Sequence, residues 1–117
     1  MAKIVVHIHD LGLGGAERIA LKWIAWLQDM GHEVTLLLGF QPDEVFFHAP
    51  LGLQVVYRPN GSKVSTWRWL RGYLAKHPPD LAIGVSTRPS INLLLANVGK
   101  SWRVIVAEVN YPPAKKL

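Results

Sequence analysis

The sequence predicts an α/β fold: a Rossmann-like three-layer αβα domain with a parallel sheet of about five strands in the order 3-2-1-4-5. Three observations carry this. Short β-branched runs alternate with stretches of helical spacing, the pattern of right-handed βαβ units. The first run leads into a glycine-rich turn, Gly12 to Gly15, that opens a helix. Glycines and prolines fall where the helices must stop.

Lys3 to His9 is a short apolar run ending in polar residues, as for a buried parallel strand. From Ala16 to Met30, residues Ile19, Ala20, Trp23, Ile24, Leu27 and Met30 form one broad stripe that can cover a sheet. Gly31 ends that helix from the C′ position. Glu33 to Leu38 is the second strand, and Gly39 to Pro50 is irregular, broken by Pro42 and Pro50. Leu53 to Tyr57 is the third strand. Ser65 or Thr66 caps a helix running to about Lys76, which Pro78 and Pro79 stop. Leu81 to Val85 is the fourth strand. Pro89 or Ser90 opens a helix through Val98 that Gly99 ends, and Arg103 to Glu108 is the fifth strand.

Composition narrows the function. Half the residues are apolar and only 18% are charged, which argues against a disordered or solvating segment. The 117 residues make one domain, 1–117. There is no cysteine, so disulfides and thiolate metal sites are excluded. His32, His48 and His77 are too dispersed for a metal site. No apolar run approaches the roughly 20 residues of a membrane span, so a cytoplasmic location is expected. The net charge of +5 favours phosphates or anionic lipid. The basic residues form no single stripe, so nucleic acid is not an expected partner.

A glycine turn at a helix start lets backbone N–H groups approach an anion, which the helix dipole favours. The same glycines also serve tight strand–helix packing without a ligand. The residues here are Gly12-Leu-Gly14-Gly15-Ala-Glu17. A dinucleotide fingerprint needs glycine at 17, and the second strand ends in Leu38-Gly39 with no acid for a ribose. Both departures count against NAD or NADP, and no P-loop motif occurs.

These residues resemble a family. The stretch from Lys3 to Leu38, with its GGAER turn and GHEVTLL strand entry, is similar to the amino-terminal segment of family 4 glycosyltransferases, the retaining GT-B enzymes. Ser86 to Ala96 resembles the family's strand-four exit. Val104 to Pro113 resembles its VIVSERNxP segment, seen in the branch acting on lipid-linked or polysaccharide sugars. The resemblance implies two Rossmann-like domains facing a cleft, of which this is the amino-terminal, acceptor-side one. A carboxy-terminal domain would hold most of a nucleotide-sugar, which is a substrate; no cofactor or metal is implied. On that expectation the domain is truncated, an active fragment is not expected, and an exposed strand edge or apolar face invites self-association into a homo-oligomer.

The resemblance carries donor-phosphate contact onto Gly14 and Gly15, and catalytic roles onto Glu108 and Asn110. Glu108 reads equally as a solvated strand-end acid. Between them, Val109 stands where relatives carry histidine or arginine, and valine can neither donate a hydrogen bond nor bear charge. Arg88, just past the fourth strand, can clamp a phosphate or be an exposed loop residue. Ser86 and Thr87 at that edge, and His9 and Asp10 at the end of the first strand, are candidates for acceptor contact. His7 reads as structural. Trp67 to Tyr73 make a basic, aromatic helix that suits an anionic membrane surface. The favoured reading places Trp69, Leu70 and Tyr73 in the core and the arginines on the solvated side. An alternative function is a non-catalytic phosphate- or lipid-binding module.

Overall fold

The computed structural model describes residues 2–8, 15–39, 53–59 and 63–107. In chain order they form β1 (Lys3–Ile8), α1 (Gly15–Asp29), β2 (Glu33–Leu38), β3 (Gln54–Tyr57), α2 (Thr66–Lys76), β4 (Leu81–Val85), α3 (Thr87–Ala96) and β5 (Arg103–Ala107). The sheet runs β3-β2-β1-β4-β5, and every pairing is parallel. This is the expected Rossmann-like arrangement. β1 lies at the centre, pairing with β2 along its whole length and with β4 from Ile4 to His7.

Alternation along the strands divides the apolar residues between two layers. Ile4, Val6, Ile8, Leu36, Leu38, Ile83 and Val85 face one way and pack with Ala20, Ile24 and Leu27 of α1. Val5, Leu37 and Ala82 face the other way and meet Leu70 and Leu74 of α2, Leu93 and Ala96 of α3, and Trp102. Both faces of β1 and β2 are therefore buried, which explains their unbroken apolar runs. Full burial of one such aliphatic side chain stabilises the fold by about 1.5–3 kcal/mol. The edge strand β5 is the exception: Ile105 and Val106 remain nearly half exposed.

Local chemistry fixes the helix ends. Gly31 (φ +89°) and Gly99 (φ +75°) take the left-handed conformation that ends a helix without a Cβ penalty. Ser65 is the N-cap of α2, in extended backbone, but its hydroxyl makes no capping bond. Leu70 and Leu74 are buried, and Trp69 and Tyr73 pack against the core, so the aromatic side of α2 faces inward. Burial raises the Tyr73 phenol above its usual 10.0. Arg71 reaches across to α3, where its Nη1 donates to the carbonyls of Ala96 (3.2 Å) and Val98 (2.6 Å). It places a cation at the negative end of that helix.

At the amino edge of the sheet, two hydrogen bonds clamp β1 to the turn before β4. The Lys3 N–H donates to Asp80 Oδ2 and the Asp80 N–H to the Lys3 carbonyl, both at 2.8 Å. α3 begins at Thr87, earlier than its proline suggested. Pro89 sits within the first turn, where a missing N–H forfeits no intrahelical bond.

Candidate functional site

In a parallel sheet of this order, the winding reverses between β1 and β4, and the crevice at their carboxyl ends is the place for a ligand. Each sequence candidate follows a strand's carboxyl end. Gly15 is the first residue of α1. Ser86 links β4 directly to α3, and Thr87 and Arg88 are the first two residues of that helix. His9, Asp10, Gly14, Glu108, Val109 and Asn110 lie outside the described residues.

Among the described residues, the β4–α3 corner is the most constrained point of this edge. Ser86 has φ +77° and ψ +169°, a conformation that only glycine adopts readily. It is the only non-glycine residue with positive φ among those described. Such a geometry costs about 1–3 kcal/mol and persists only when its surroundings fix it. Here both backbone groups are held. The Ser86 N–H donates to the Ala107 carbonyl at the end of β5 (2.8 Å). The Ser86 carbonyl accepts from the Ser90 N–H (3.1 Å) and the Ser90 hydroxyl (2.7 Å). That hydroxyl also sits 3.1 Å from the Gly84 carbonyl. Ser90 is 4% exposed, so α3 is pressed onto β4, and only the absent side chain of Gly84 leaves room.

This corner has electrostatic consequences. The first turn of α3 holds no acidic residue, and the Ser86 hydroxyl makes no capping bond there. The positive end of its dipole lies at the carboxyl edge of the sheet, beside the exposed Arg88. α1, on the opposite face of the sheet, begins at the same edge. The arrangement suits an anion. Ser86 is half-buried, whereas Thr87 and Arg88 are exposed.

His7 is not part of this surface. It is fully buried, and its Nδ1 donates to the Leu37 carbonyl at 3.0 Å, in keeping with a structural role. A polar pocket of about 190 Å³, lined in part by Lys3, Thr35, Lys76 and His77, lies at the amino edge, away from the candidates. An apolar groove of about 180 Å³ runs between α1 and β5, from Trp23 and Trp26 to Ile105 and Ala107. Among the described residues no cluster of His, Asp and Glu can hold a metal ion. No described helix is long and apolar enough to cross a membrane.

Sequence reasoning assigned Gly84 only to a strand interior and missed its role. The one available signal was a glycine two residues before a strand-to-helix corner, which marks close backbone approach.

No family model matches the chain, and no curated protein matches it. Solved structures do. A glycosyltransferase from Rickettsia africae superposes over 96% of this chain with a TM-score of 0.63 and 16% identity. WaaG, a glycosyltransferase involved in lipopolysaccharide biosynthesis, superposes over 71% with a TM-score of 0.57 and 18% identity. CobK precorrin-6A reductase superposes over 97% with a TM-score of 0.54 and 16% identity. At these identities the likeness is one of fold. The chain spans 31%, 23% and 41% of those three chains respectively.

Proposed function

We propose that this chain forms one wall of a glycosyltransferase cleft. It acts as the acceptor-side domain of a retaining enzyme that moves a sugar from a nucleotide-sugar to a lipid-linked or polysaccharide acceptor. One observation carries the reading. The three stretches that resemble family 4 glycosyltransferases each cover or directly follow the carboxyl end of a strand, β1, β4 or β5, and the parallel sheet brings those three ends to one edge. The fold likeness to two glycosyltransferases supports it.

In this reading Gly14, Gly15 and Arg88 receive the donor's phosphates. Glu108 and Asn110 meet the reacting sugar, and His9, Asp10, Ser86 and Thr87 bind acceptor hydroxyls. Val109 supplies no charge, so transition-state stabilisation falls to its neighbours. A second Rossmann-like domain holds the rest of the donor, and turnover needs both walls. A lipid-linked acceptor places the protein at the inner face of the cytoplasmic membrane.

The fold likeness to a reductase raises a dinucleotide site as the competing idea, and Glu17 with Gly39 speaks against it. Calorimetric titration of the 117-residue chain with UDP-glucose, inorganic pyrophosphate and NADH separates the two. The expected result is weak binding of the first two, lost in Arg88→Ala. Tighter binding of NADH than of UDP-glucose overturns the glycosyltransferase reading. Release of UDP from UDP-glucose by this chain alone overturns the requirement for two walls. The Val109 substitution favours a second reading, a non-catalytic phosphate- or lipid-binding module. Pyrophosphate binding with no transfer by a polypeptide carrying both domains would select it.

A further inference from the structure

The side of the sheet that faces α2 changes character along its length. In the middle it is apolar, with Val5, Leu37 and Val56 in or against the core layer. Two residues earlier along each strand, the same face carries Lys3, Thr35 and Gln54, and Lys3 stands opposite Glu33. A polar strand end ordinarily stands in open solvent. Here the end of α2 brings Tyr73, Lys76 and His77 over it, and the result is the cavity of about 190 Å³ at the amino edge.

The lining is rich in donors and acceptors and poor in net charge. Thr35 and Tyr73 are half-buried and offer hydroxyls, and Gln54 offers an amide; each can donate and accept. None of these three side chains hydrogen-bonds another described residue. Lys3 and Lys76 bring ammonium groups and Glu33 a carboxylate. Asp80, whose Oδ2 takes the Lys3 N–H, sets a second carboxylate beside Lys3. The negative end of the α2 dipole also falls here. The two cations are therefore offset, which disfavours a phosphate or a carboxylic acid. The volume is below the roughly 300–1,000 Å³ of a pocket for a drug-sized ligand, too small for a nucleotide. On the helix side the Tyr73 and His77 rings, centroids 4.7 Å apart, make an aromatic wall.

We infer that this pocket binds one neutral sugar unit, with Thr35 and Gln54 on its hydroxyls and the Tyr73–His77 pair against its ring. A sugar ring carries hydroxyls around its rim, each both donor and acceptor, and C–H groups on its faces. A mixed polar lining matches the first and an aromatic wall the second. The inference stands without the proposed transfer reaction. β1 has six residues, so roughly 20 Å separates the two edges of the sheet at about 3.3 Å per residue. The sugar held here is thus a second contact, remote from any bound at the carboxyl edge.

Titration of the isotope-labelled 117-residue chain with glucose, galactose, mannose and N-acetylglucosamine, followed by amide chemical shifts, tests it. Inorganic phosphate and citrate serve as anion probes. At least one sugar is expected to bind with millimolar affinity and to shift the amides of Lys3, Thr35, Gln54 and His77. Thr35→Val and Gln54→Ala should each weaken that binding about fivefold, the worth of one net hydrogen bond. Lys76→Gln removes the charge but keeps a donor, and should change it by less than about twofold. Circular dichroism checks that the variants remain folded. No saturable shift with any of these sugars overturns the inference, as do shifts confined to Thr87 and Arg88. So does sugar binding that neither Thr35→Val nor Gln54→Ala weakens. Phosphate or citrate bound here more tightly than every sugar, and lost in Lys76→Gln, also overturns it, because the pocket then takes an anion.

Discussion

A Cβ on Gly84 would lie 2.7 Å from the Cα of Ser90, closer than such atoms approach in folded proteins. β4 and α3 are thus in backbone contact where the chain leaves the sheet. The contact holds the Ser86 turn in place, because Ser90 is also the residue that binds the Ser86 carbonyl.

Gly84→Ala therefore forces α3 outward or strains the corner, because the obstacle is main chain rather than a movable side chain. The expected cost is about 1–3 kcal/mol, the range for overpacking a well-filled interior. A drop in the thermal midpoint measures it. Gly72→Ala is the control: Gly72 is exposed within α2, with nothing within 4 Å of an added Cβ. That substitution should stabilise the protein by about 0.5–1 kcal/mol through helix propensity.

Ser86→Gly should leave stability unchanged or raise it by about 1 kcal/mol, because glycine takes positive φ without penalty. Ser86→Val should lower it. If the hydroxyl serves a ligand, Ser86→Gly separates the two properties: denaturant midpoints hold or rise while acceptor binding weakens. A glycine variant less stable than the parent would show that Ser86 is unstrained.

Arg71 joins the two helices on one face of the sheet. Arg71→Ala removes both of its hydrogen bonds to the end of α3 and should cost about 1–2 kcal/mol. Arg71→Lys should recover part of that, since an ammonium keeps the charge but not the fork. Equal stability of the alanine variant and the parent in urea would contradict this.

Tyr73 gives a pH signature. Burial raises its phenol above 10.0, so above that pH the unfolded chain loses the proton more readily than the folded one. Stability should be insensitive to Tyr73 at neutral pH and fall as pH rises past 10. Tyr73→Phe should remove that alkaline component, which urea denaturation at a series of pH values measures.

The layers and strand order were legible because each rests on a pattern within one segment. The runs of β1, β2 and β4 are short and apolar, and Gly31 and Gly99 announce their helix ends. The candidate site was legible only as a location. Ser86, Thr87 and Arg88 were placed at the correct edge by counting strands. Nothing in a serine's identity states the sign of its φ, which is imposed by Ala107, 21 residues later, and by Ser90. The start of α3 was set too late for the same reason: proline reads as a helix opening, yet the corner at Ser86 begins the helix before it. Gly84 has no local mark because its meaning lies in a helix packed over it. The inward turn of Trp69 and Tyr73 could be argued from helical spacing. The outward turn of Leu94 and Leu95 could not, since the apolar residues of α3 occupy both of its sides.

The central position of β1 shapes how the chain is made. Its neighbour β4 is far along the sequence, with 77 residues separating Lys3 from its clamp, Asp80. At ordinary synthesis rates of about 5–20 residues per second, roughly 4–15 s pass before that partner exists. For that interval one flank of β1 has β2 and the other has nothing. A nascent chain of this design is most open to mispairing early, and a pause introduced between β2 and β4 should lower its soluble yield more than one placed after β4.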